Sequence, residues 1–342
     1  MSFSPEQPRH SSIAPHNGHM PSCGQKIGRR ELLAGAAGSL ALAGCSLHNP
    51  NAPKPLVSIT RATAYTQDLY DTVRRIFAEH RLEVRGKRVL VKPNLVEFDA
   101  GVPINTHPLV VNAVYDALLA LGAKVRIAEG PGHRRNTLEL AEAAGFFDIV
   151  PRFEDAFTDL NLDDVAKMRL RHPESRLASL FMPRTALQAD LIVSVPKMKT
   201  HHWVGATLGM KNFFGLVPGG VYGWPKNVLH WAGITECIVD LHRMFPNTFT
   251  LVDGITGMQG NGPIQGQAKE AGVIVAGADA VAVDATCCRI MGIDPERVVY
   301  LTLAANARQT EDARVQVIGE RIAAVRSDFD LPPSFGWLRL RR

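Results

Sequence analysis

Short apolar runs alternate with amphipathic segments along most of the chain beyond residue 55. The apolar runs are rich in β-branched residues and lack helical spacing, which is typical of the buried strands of a parallel sheet. They predict strands at 56–62, 88–92, 124–129, 190–195, 249–254 and 272–277. Segments with helical spacing predict helices at about 67–79, 106–121, 137–150, 230–245 and 279–291. The predicted fold class is therefore α/β, a mostly parallel sheet flanked by helices.

The domain organisation follows from the same pattern. Residues 151–188 show neither a helical nor a strand period, and we expect an irregular excursion there. The alternation resumes afterwards, and 46% of all residues are apolar, which is enough to bury a sizeable core. Residues 46–342 are therefore predicted to form a single large α/β domain.

The N-terminal segment has a different composition. Residues 1–25 are rich in Pro, His, Ser and Gly, and Arg29 and Arg30 then precede an apolar run of Ala, Gly and Leu that ends at Cys45. This run is shorter than the roughly 20 residues that a membrane-spanning helix needs. The pattern predicts a twin-arginine (Tat) signal peptide over residues 1–45. The alternative is an ordinary buried helix that follows a chance pair of arginines.

The sequence Leu42-Ala43-Gly44-Cys45 resembles a bacterial lipobox. In such a sequence the cysteine carries the lipid, so Cys45 is the predicted lipidation site, and cleavage nearby without lipidation stays open. The expected location is the periplasm or cell envelope, with the Tat machinery and, through the anchor, the membrane as partners. Because Tat substrates are generally exported folded, often with a cofactor inserted, a metallocofactor or redox protein is one alternative for the function.

Charge and cysteine content remove two classes of function. The chain carries a formal net charge of +5, which is too small an excess to predict nucleic-acid binding. Its five cysteines form no C-x-x-C pair and no disulfide framework. We therefore expect no iron–sulfur cluster.

Polar residues lie just after the carboxyl ends of the predicted strands. Because the carboxyl ends of parallel strands meet at one edge of a sheet, a ligand site is predicted at that edge. The candidate ligand-binding residues are Lys92, Asn94, Lys197, Lys199, Lys211, Asn212, Asp253 and Asn261. The candidate catalytic residues are His201, His107 and Glu129.

The basic segment that follows strand 190–195 is the most informative part of this set. Pro196 ends the strand, and the lysines at 197, 199 and 211 then accompany the pair His201-His202. Side chains alternate in direction along extended backbone, so His201, which shares its parity with Lys197 and Lys199, is expected to face the site rather than His202. A solvated basic loop is the alternative.

The residue types indicate the chemistry. Clustered lysines predict an anionic ligand with a carboxylate or phosphate group. His201 or His107 would move protons. Glu129 and Asp253 would orient these histidines or hold a divalent metal. Simpler roles remain open: a strand-end Lys92 that reaches solvent, a capping His107, and a Glu129 paired with Arg134.

The Gly-rich segment 254–262 is predicted to be a loop. It lacks the spacing of a P-loop and of a dinucleotide-binding fold. Its glycines would let backbone N–H groups approach an anion, or they only form tight turns. Cys287 and Cys288 are expected to be packing residues. Asp279 is the expected N-cap of the last helix, and Thr106 is the expected N-cap of the helix that ends at about residue 121.

Several motifs together resemble the domain of unknown function 362 family. They are VKPN (91–94), THP (106–108), LGAKVRIAEGPG (121–132), ADLIVSVPKMKTH (189–201), LGMKNFFG (208–215), VDGITGMQGNGP (252–263) and IVAGADAVAVDA (274–285). The resemblance implies an α/β domain without a settled activity. Some relatives carry ferredoxin-like cysteine clusters; this chain lacks those cysteines, so electron transfer is not carried over to it.

A fainter similarity exists to the nickel-pincer lactate racemase family. It rests on Thr106-His107-Pro108 and on the turn Gly132-His133-Arg134. It implies acid/base chemistry on a small carboxylate. The leading hypothesis is therefore an extracytoplasmic protein with a cationic, histidine-containing pocket that performs acid/base or metal-assisted catalysis on an anion. A solute- or cofactor-binding lipoprotein without catalysis is the alternative.

Overall fold

The computed structural model describes residues 53–132, 136–305 and 310–341. The predicted signal peptide with Cys45, and also His133 and Arg134, lie outside these residues. Among the described residues, no helix is both long and apolar enough to cross a bilayer.

Twelve strands form in the described part of the chain. They are β1 (Leu56–Arg61), β2 (Arg88–Pro93), β3 (Lys124–Glu129), β4 (Phe157–Asp159), β5 (Val165–Arg169), β6 (Ser179–Pro183), β7 (Leu191–Val195), β8 (Lys197–His201), β9 (Gly205–Thr207), β10 (Thr248–Asn261), β11 (Gln265–Gly277) and β12 (Gln316–Gly319).

Twelve α-helices form in the same part, and four of them are longer than two turns. They are α1 (Leu69–Glu79), α2 (Pro108–Ala120), α3 (Thr137–Ala143), α4 (Phe146–Ile149), α5 (Phe153–Ala156), α6 (Arg184–Leu187), α7 (Gly209–Asn212), α8 (Gly219–Tyr222), α9 (Asn227–Met244), α10 (Ala280–Ile290), α11 (Val299–Ala304) and α12 (Ile322–Val325).

The main sheet has the strand order β12-β1-β11-β10-β7-β2-β3-β4. Neighbours in this order run parallel, except that β11 is antiparallel to both β1 and β10. β8 adds a parallel pairing to β10, and β9 pairs antiparallel with β8. The mostly parallel α/β sheet predicted from the sequence is confirmed.

Both faces of the sheet are covered, which explains the near-continuous apolar runs. Val89 and Val91 pack with α1 and α2 in one buried cluster. The intervening Leu90 belongs to the cluster on the other face, together with residues of α9 and α10. Cys287 and Cys288 are fully buried in that second cluster, as predicted for packing residues.

The local predictions were wrong in several places. The segment 254–262 is not a loop, because β10 continues to Asn261 and pairs with β11 as a long hairpin. The excursion 151–188 contains α5, β4, α6 and the hairpin β5–β6. The predicted helix 137–150 breaks into α3 and α4 at Gly145, whose φ of 79° ends the first helix.

The two predicted helix caps had different outcomes. The Asp279 side chain accepts a hydrogen bond from the Ala282 N–H and caps α10, as expected. For α2 the N-cap is His107 rather than Thr106. The Thr106 hydroxyl instead accepts from the Asn94 N–H and donates to the Val195 carbonyl, which ties the ends of β2 and β7 together.

Candidate functional site

A cavity of about 530 Å³ opens beside the ends of β2 and β3. Its wall comes from the segments that follow β2, β3 and β7 and from the turn of the β10–β11 hairpin. Seven candidates from the sequence line it: Asn94, Glu129, Lys199, His201, Lys211, Asn212 and Asn261. The other four candidates, Lys92, His107, Lys197 and Asp253, do not line it.

A buried carboxylate holds the segment that carries Lys211 and Asn212. Asp284 of α10 accepts hydrogen bonds from the Gly209 N–H at 2.7 Å and the Met210 N–H at 3.0 Å, at the start of α7. Burial raises the pKa of Asp284 to about 7, against the opposing effect of these two donors. Asp284 is therefore a positioning residue for the cavity wall.

Lys92 and Glu129 form an ion pair in which Glu129 lies at the cavity wall and Lys92 lies behind it. The Lys92 Nζ donates to Glu129, to the Pro93 carbonyl at 2.7 Å and to the Asn212 amide oxygen at 3.2 Å. Burial lowers the pKa of Lys92, and the Glu129 charge opposes this shift. Glu129 thus pairs with Lys92, and the two charges largely neutralise each other within the protein.

Gly215 packs directly against this ion pair. A Cβ built at residue 215 would overlap both the Glu129 carboxylate and the Lys92 amine. The Gly215 carbonyl also accepts a hydrogen bond from the Gly130 N–H at 2.8 Å. The close approach of the two segments requires glycine here because no side chain fits.

Of the three lysines that line the cavity, Lys211 has the fewest polar partners within the described residues. Within the described part of the chain, its amine makes no hydrogen bond and no ion pair, and it lies 3.6 Å from the centre of the Phe214 ring. Burial and the charges of Lys226 and Lys92 lower the pKa of Lys211 to about 7. A pKa near 7 places the loss of the Lys211 proton close to neutral pH.

Lys226 and His230 line the same cavity, and the sequence reasoning missed both. The Lys226 Nζ donates to the carbonyls of Gly130 at 2.5 Å and Phe214 at 2.7 Å. Burial lowers the pKa of Lys226 to about 7 and that of His230 to about 4. In the sequence, these two residues could have been noticed only as one more lysine and one more histidine that follow the basic segment.

Lys199 lies fully buried at the cavity wall and donates to the Ile104 carbonyl at 2.8 Å and the Pro263 carbonyl at 3.3 Å. Burial, with the charges of Lys197 and Lys211, lowers its pKa well below the usual range. Lys199 therefore supplies a donor that is easily neutralised.

His201 presents a defined ring nitrogen to the cavity. Its Nδ1 accepts a hydrogen bond from the Trp203 N–H at 3.0 Å, so in the neutral ring the proton is on Nε2. Burial, followed by the charge of Lys211, lowers the pKa of His201 well below its usual range. His201 is thus a neutral imidazole that offers an N–H donor. His202 lines the cavity as well, so only part of the alternation argument holds.

Lys197 and Asp253 belong to a separate buried network with Tyr65 and His107. The Lys197 Nζ donates to Asp253 at 2.6 Å and to the Tyr65 hydroxyl at 2.9 Å. The Asp253 carboxylate also accepts from the Tyr65 hydroxyl at 3.0 Å and from the His107 N–H at 3.0 Å. These groups satisfy one another, which is typical of a structural network.

The His107 ring takes part in the same network. It stacks on Tyr65 with the ring centres 3.8 Å apart, and its Nδ1 accepts from the Leu109 N–H. Burial lowers the pKa of His107 to about 4. His107 thus caps α2 away from the cavity, which was one of the roles left open by the sequence.

A shift in strand register explains why lysines of equal parity separate. Lys197 pairs with Asp253 on β10, whereas Lys199, only two residues further along β8, pairs with Met258. The irregularity turns Lys199 toward the cavity and leaves Lys197 in the buried network.

Two polar atoms at the cavity wall have no partner among the described residues. They are the Asn94 amide oxygen and the Thr207 hydroxyl, on side chains that are 7% and 4% exposed. A buried polar group without a partner is unfavourable, so both are sites at which a bound molecule would gain hydrogen bonds.

The described residues contain no group of three or more His, Cys, Asp or Glu side chains arranged to hold a metal ion. The cavity wall instead carries three lysines and three histidines against the two carboxylates Glu97 and Glu129, and Glu129 is committed to Lys92. Such a donor set suits an anion better than a cation.

Comparison with known proteins gives relatives for the chain. The Thylakoid-associated protein sll1697 of Synechocystis sp. is 29% identical over 231 residues, which cover 65% of this chain and 68% of the relative. The lactate racemase apoprotein of Thermoanaerobacterium thermosaccharolyticum matches in structure with a TM-score of 0.44 and 13% identity. That match covers 70% of this chain and 57% of the racemase chain.

The family comparison covers more than half of the chain. Residues 89–289 match the model of the Domain of unknown function (DUF362). This range runs from within β2 to within α10, and it includes every candidate residue lining the cavity. It also contains all of the residues that tie the buried ion pair to the cavity wall. The chain therefore belongs to the DUF362 family.

Proposed function

We propose that the protein binds a small anionic ligand, a carboxylate or a phosphate, in the cavity and exchanges a proton with it. The observation that carries this proposal is the Lys211 amine, which faces the cavity without an internal hydrogen bond or ion pair among the described residues. An anion would supply the missing partner. Protonated Lys226 would add to the positive potential around it.

Lys211 and His201 have different roles in this proposal. An amine with a pKa of about 7 is well matched to accept or return a proton at neutral pH. His201, held with its proton on Nε2, would donate a hydrogen bond to the anion without changing charge. Asn94 and Thr207 would pair with further polar groups of the ligand.

We expect anion binding to weaken as the pH rises. Sulfate is a suitable probe because its charge is constant between pH 5 and 9. Only the protonated forms of Lys211 and Lys226 attract it, and both amines lose their protons above a pKa of about 7. Where one proton is taken up on binding, the sulfate affinity should fall about tenfold per pH unit above pH 7. Isothermal titration calorimetry in buffers of different ionisation enthalpy measures both the affinity and the proton uptake.

Lys211→Gln should weaken sulfate binding at pH 6 by at least about tenfold. Lys167→Gln is the matched control, since Lys167 also lies over an aromatic ring, 5.9 Å from the centre of Phe181, but is exposed and outside the cavity. Equal sulfate affinity at pH 6 and pH 9, or wild-type affinity in Lys211→Gln, would contradict the proposal. Binding without any proton uptake would support the alternative of a non-catalytic binding protein.

We also propose that the protein is exported by the Tat pathway and attached to the membrane through Cys45. The paired Arg29-Arg30, the apolar run after them and the lipobox-like sequence support this location, as does the name of the thylakoid-associated relative. Arg29→Lys with Arg30→Lys should keep the protein in the cytoplasm. Cys45→Ser should release it from the membrane fraction and abolish labelling by radioactive palmitate. Membrane attachment that persists in Cys45→Ser argues against the lipid anchor.

A further inference from the structure

The cavity is larger than a bare oxyanion or a very small carboxylate needs. Its volume of about 530 Å³ is within the range of roughly 300 to 1,000 Å³ found for clefts that enclose drug-sized molecules. The cationic groups use only part of its wall. The chemistry of the rest of the wall therefore determines what else the ligand carries.

The remaining wall is mainly apolar. It is formed by Leu95, Val96, Trp203, Phe214, Pro263 and Ile264. Polar side chains lie among these residues at Glu97, His202, Asn261 and Gln265. The apolar side chains offer no hydrogen bonds to a ligand. An apolar part of the ligand would therefore gain affinity by being buried against them.

Solvent exposure differs along the wall, although two of the apolar side chains are as buried as the amines. Lys199, His201 and Lys226 are each at most 4% exposed and therefore lie at the inner end. Trp203 is 54% exposed, and its ring packs edge-on against His230 with the centres 4.9 Å apart. The cavity thus has titratable amines and an imidazole N–H donor at its buried end, and Trp203 with partly exposed aliphatic side chains toward solvent.

From this polarity we infer that the ligand is an anionic amphiphile: a carboxylate or phosphate head lies among the buried amines, and an apolar body lies along Trp203 and Ile264. The inference rests on the proposed function and adds the class of ligand to it. Burying the body against the outer wall would supply affinity that the head alone lacks. The half-exposed Trp203 would be covered on binding.

A series of alkanoates tests the inference on the full-length protein. Acetate, butyrate, hexanoate and octanoate carry the same charge at pH 6.5 and differ only in length. The affinity should rise about threefold for each added methylene, as expected for a chain buried against apolar side chains. Calorimetry or competition with sulfate measures it. Equal affinities for acetate and octanoate would overturn the inference but leave the proposed function intact, whereas the absence of binding by sulfate and by every alkanoate would remove the proposed function.

Trp203→Ala provides the test at the level of a residue. It should weaken octanoate binding about tenfold more than it weakens acetate binding. Trp337→Ala is the matched control, because Trp337 is 52% exposed but does not line the cavity. An equal loss of acetate and octanoate affinity in Trp203→Ala would overturn the assignment of Trp203 to the apolar body.

The same chemistry occurs in free amphiphiles and in membrane lipids. Competition of octanoate by octyl phosphate in solution would assign the site to free amphiphiles. Competition by vesicles of phosphatidylglycerol, but not of phosphatidylcholine, would assign it to acidic lipids. Either result supports an amphiphilic ligand, and a failure of both competitors overturns it.

Discussion

Asp253→Asn is expected to lower the free energy of unfolding by about 3 to 5 kcal/mol, because it leaves the Lys197 ammonium buried without a countercharge. Lys197 and Asp253 are 2% and 0% exposed, and their charged atoms are 2.6 Å apart. An asparagine at 253 would also keep only one acceptor oxygen, so either the Tyr65 hydroxyl or the His107 backbone N–H would lose its acceptor. Denaturant unfolding at pH 7, followed by circular dichroism, measures the change.

The matched control for this substitution is Asp155→Asn. Asp155 pairs with Arg152 at 2.7 Å, but both side chains are mostly exposed, and such pairs contribute at most about 1 kcal/mol. Because Asp253 does not line the cavity, folded Asp253→Asn protein should keep its affinity for sulfate. A loss of sulfate binding without a loss of stability would assign Asp253 to the ligand site, as the sequence first suggested.

Gly215→Ala is expected to destabilise the protein by about 2 to 4 kcal/mol and to weaken sulfate binding. The new Cβ would overlap the Lys92–Glu129 ion pair, so either the pair separates or the segment that carries Lys211 and Gly215 moves outward. Thermal unfolding and sulfate titration of the same preparation measure both effects.

Gly220→Ala is the control for the effect of the added methyl group. It lies in the next short helix, and a Cβ there would have no neighbour closer than 3.6 Å. Its unfolding free energy should stay within about 1 kcal/mol of the wild type. If Gly215→Ala were as mild as Gly220→Ala, the close approach of the backbone to the ion pair would have no energetic importance.

The sheet could be predicted because strands that are buried on both faces have a recognisable local sequence pattern. Runs such as Leu191–Val195 are apolar at nearly every position, and short polar segments separate them from amphipathic helices. The long hairpin of β10 and β11 does not have this pattern. Its outer half is rich in Gly and polar residues, since much of it contacts solvent or approaches other backbone closely. A glycine-rich strand and a glycine-rich loop have the same composition.

It was harder to predict which residues form the site than to predict where in the fold the site lies. Strand ends indicated where polar groups would gather, and seven of the candidates do line one cavity. The sequence could not show that Lys197 pairs with Asp253 whereas Lys199 faces the cavity, because this depends on a register shift between β8 and β10. It also could not show that Lys226, whose backbone is left-handed with φ 70°, donates to carbonyls distant in sequence.

The contact of Gly215 with Lys92 and Glu129 has a consequence for natural variation in the family. A side chain at 215 is compatible with the fold only where the two charged residues are replaced by smaller ones. The three positions should therefore change together among homologues, so that glycine at 215 accompanies lysine at 92 and glutamate at 129. Members that keep all three would share the geometry of this cavity wall, and members that lose all three together would have evolved a different one.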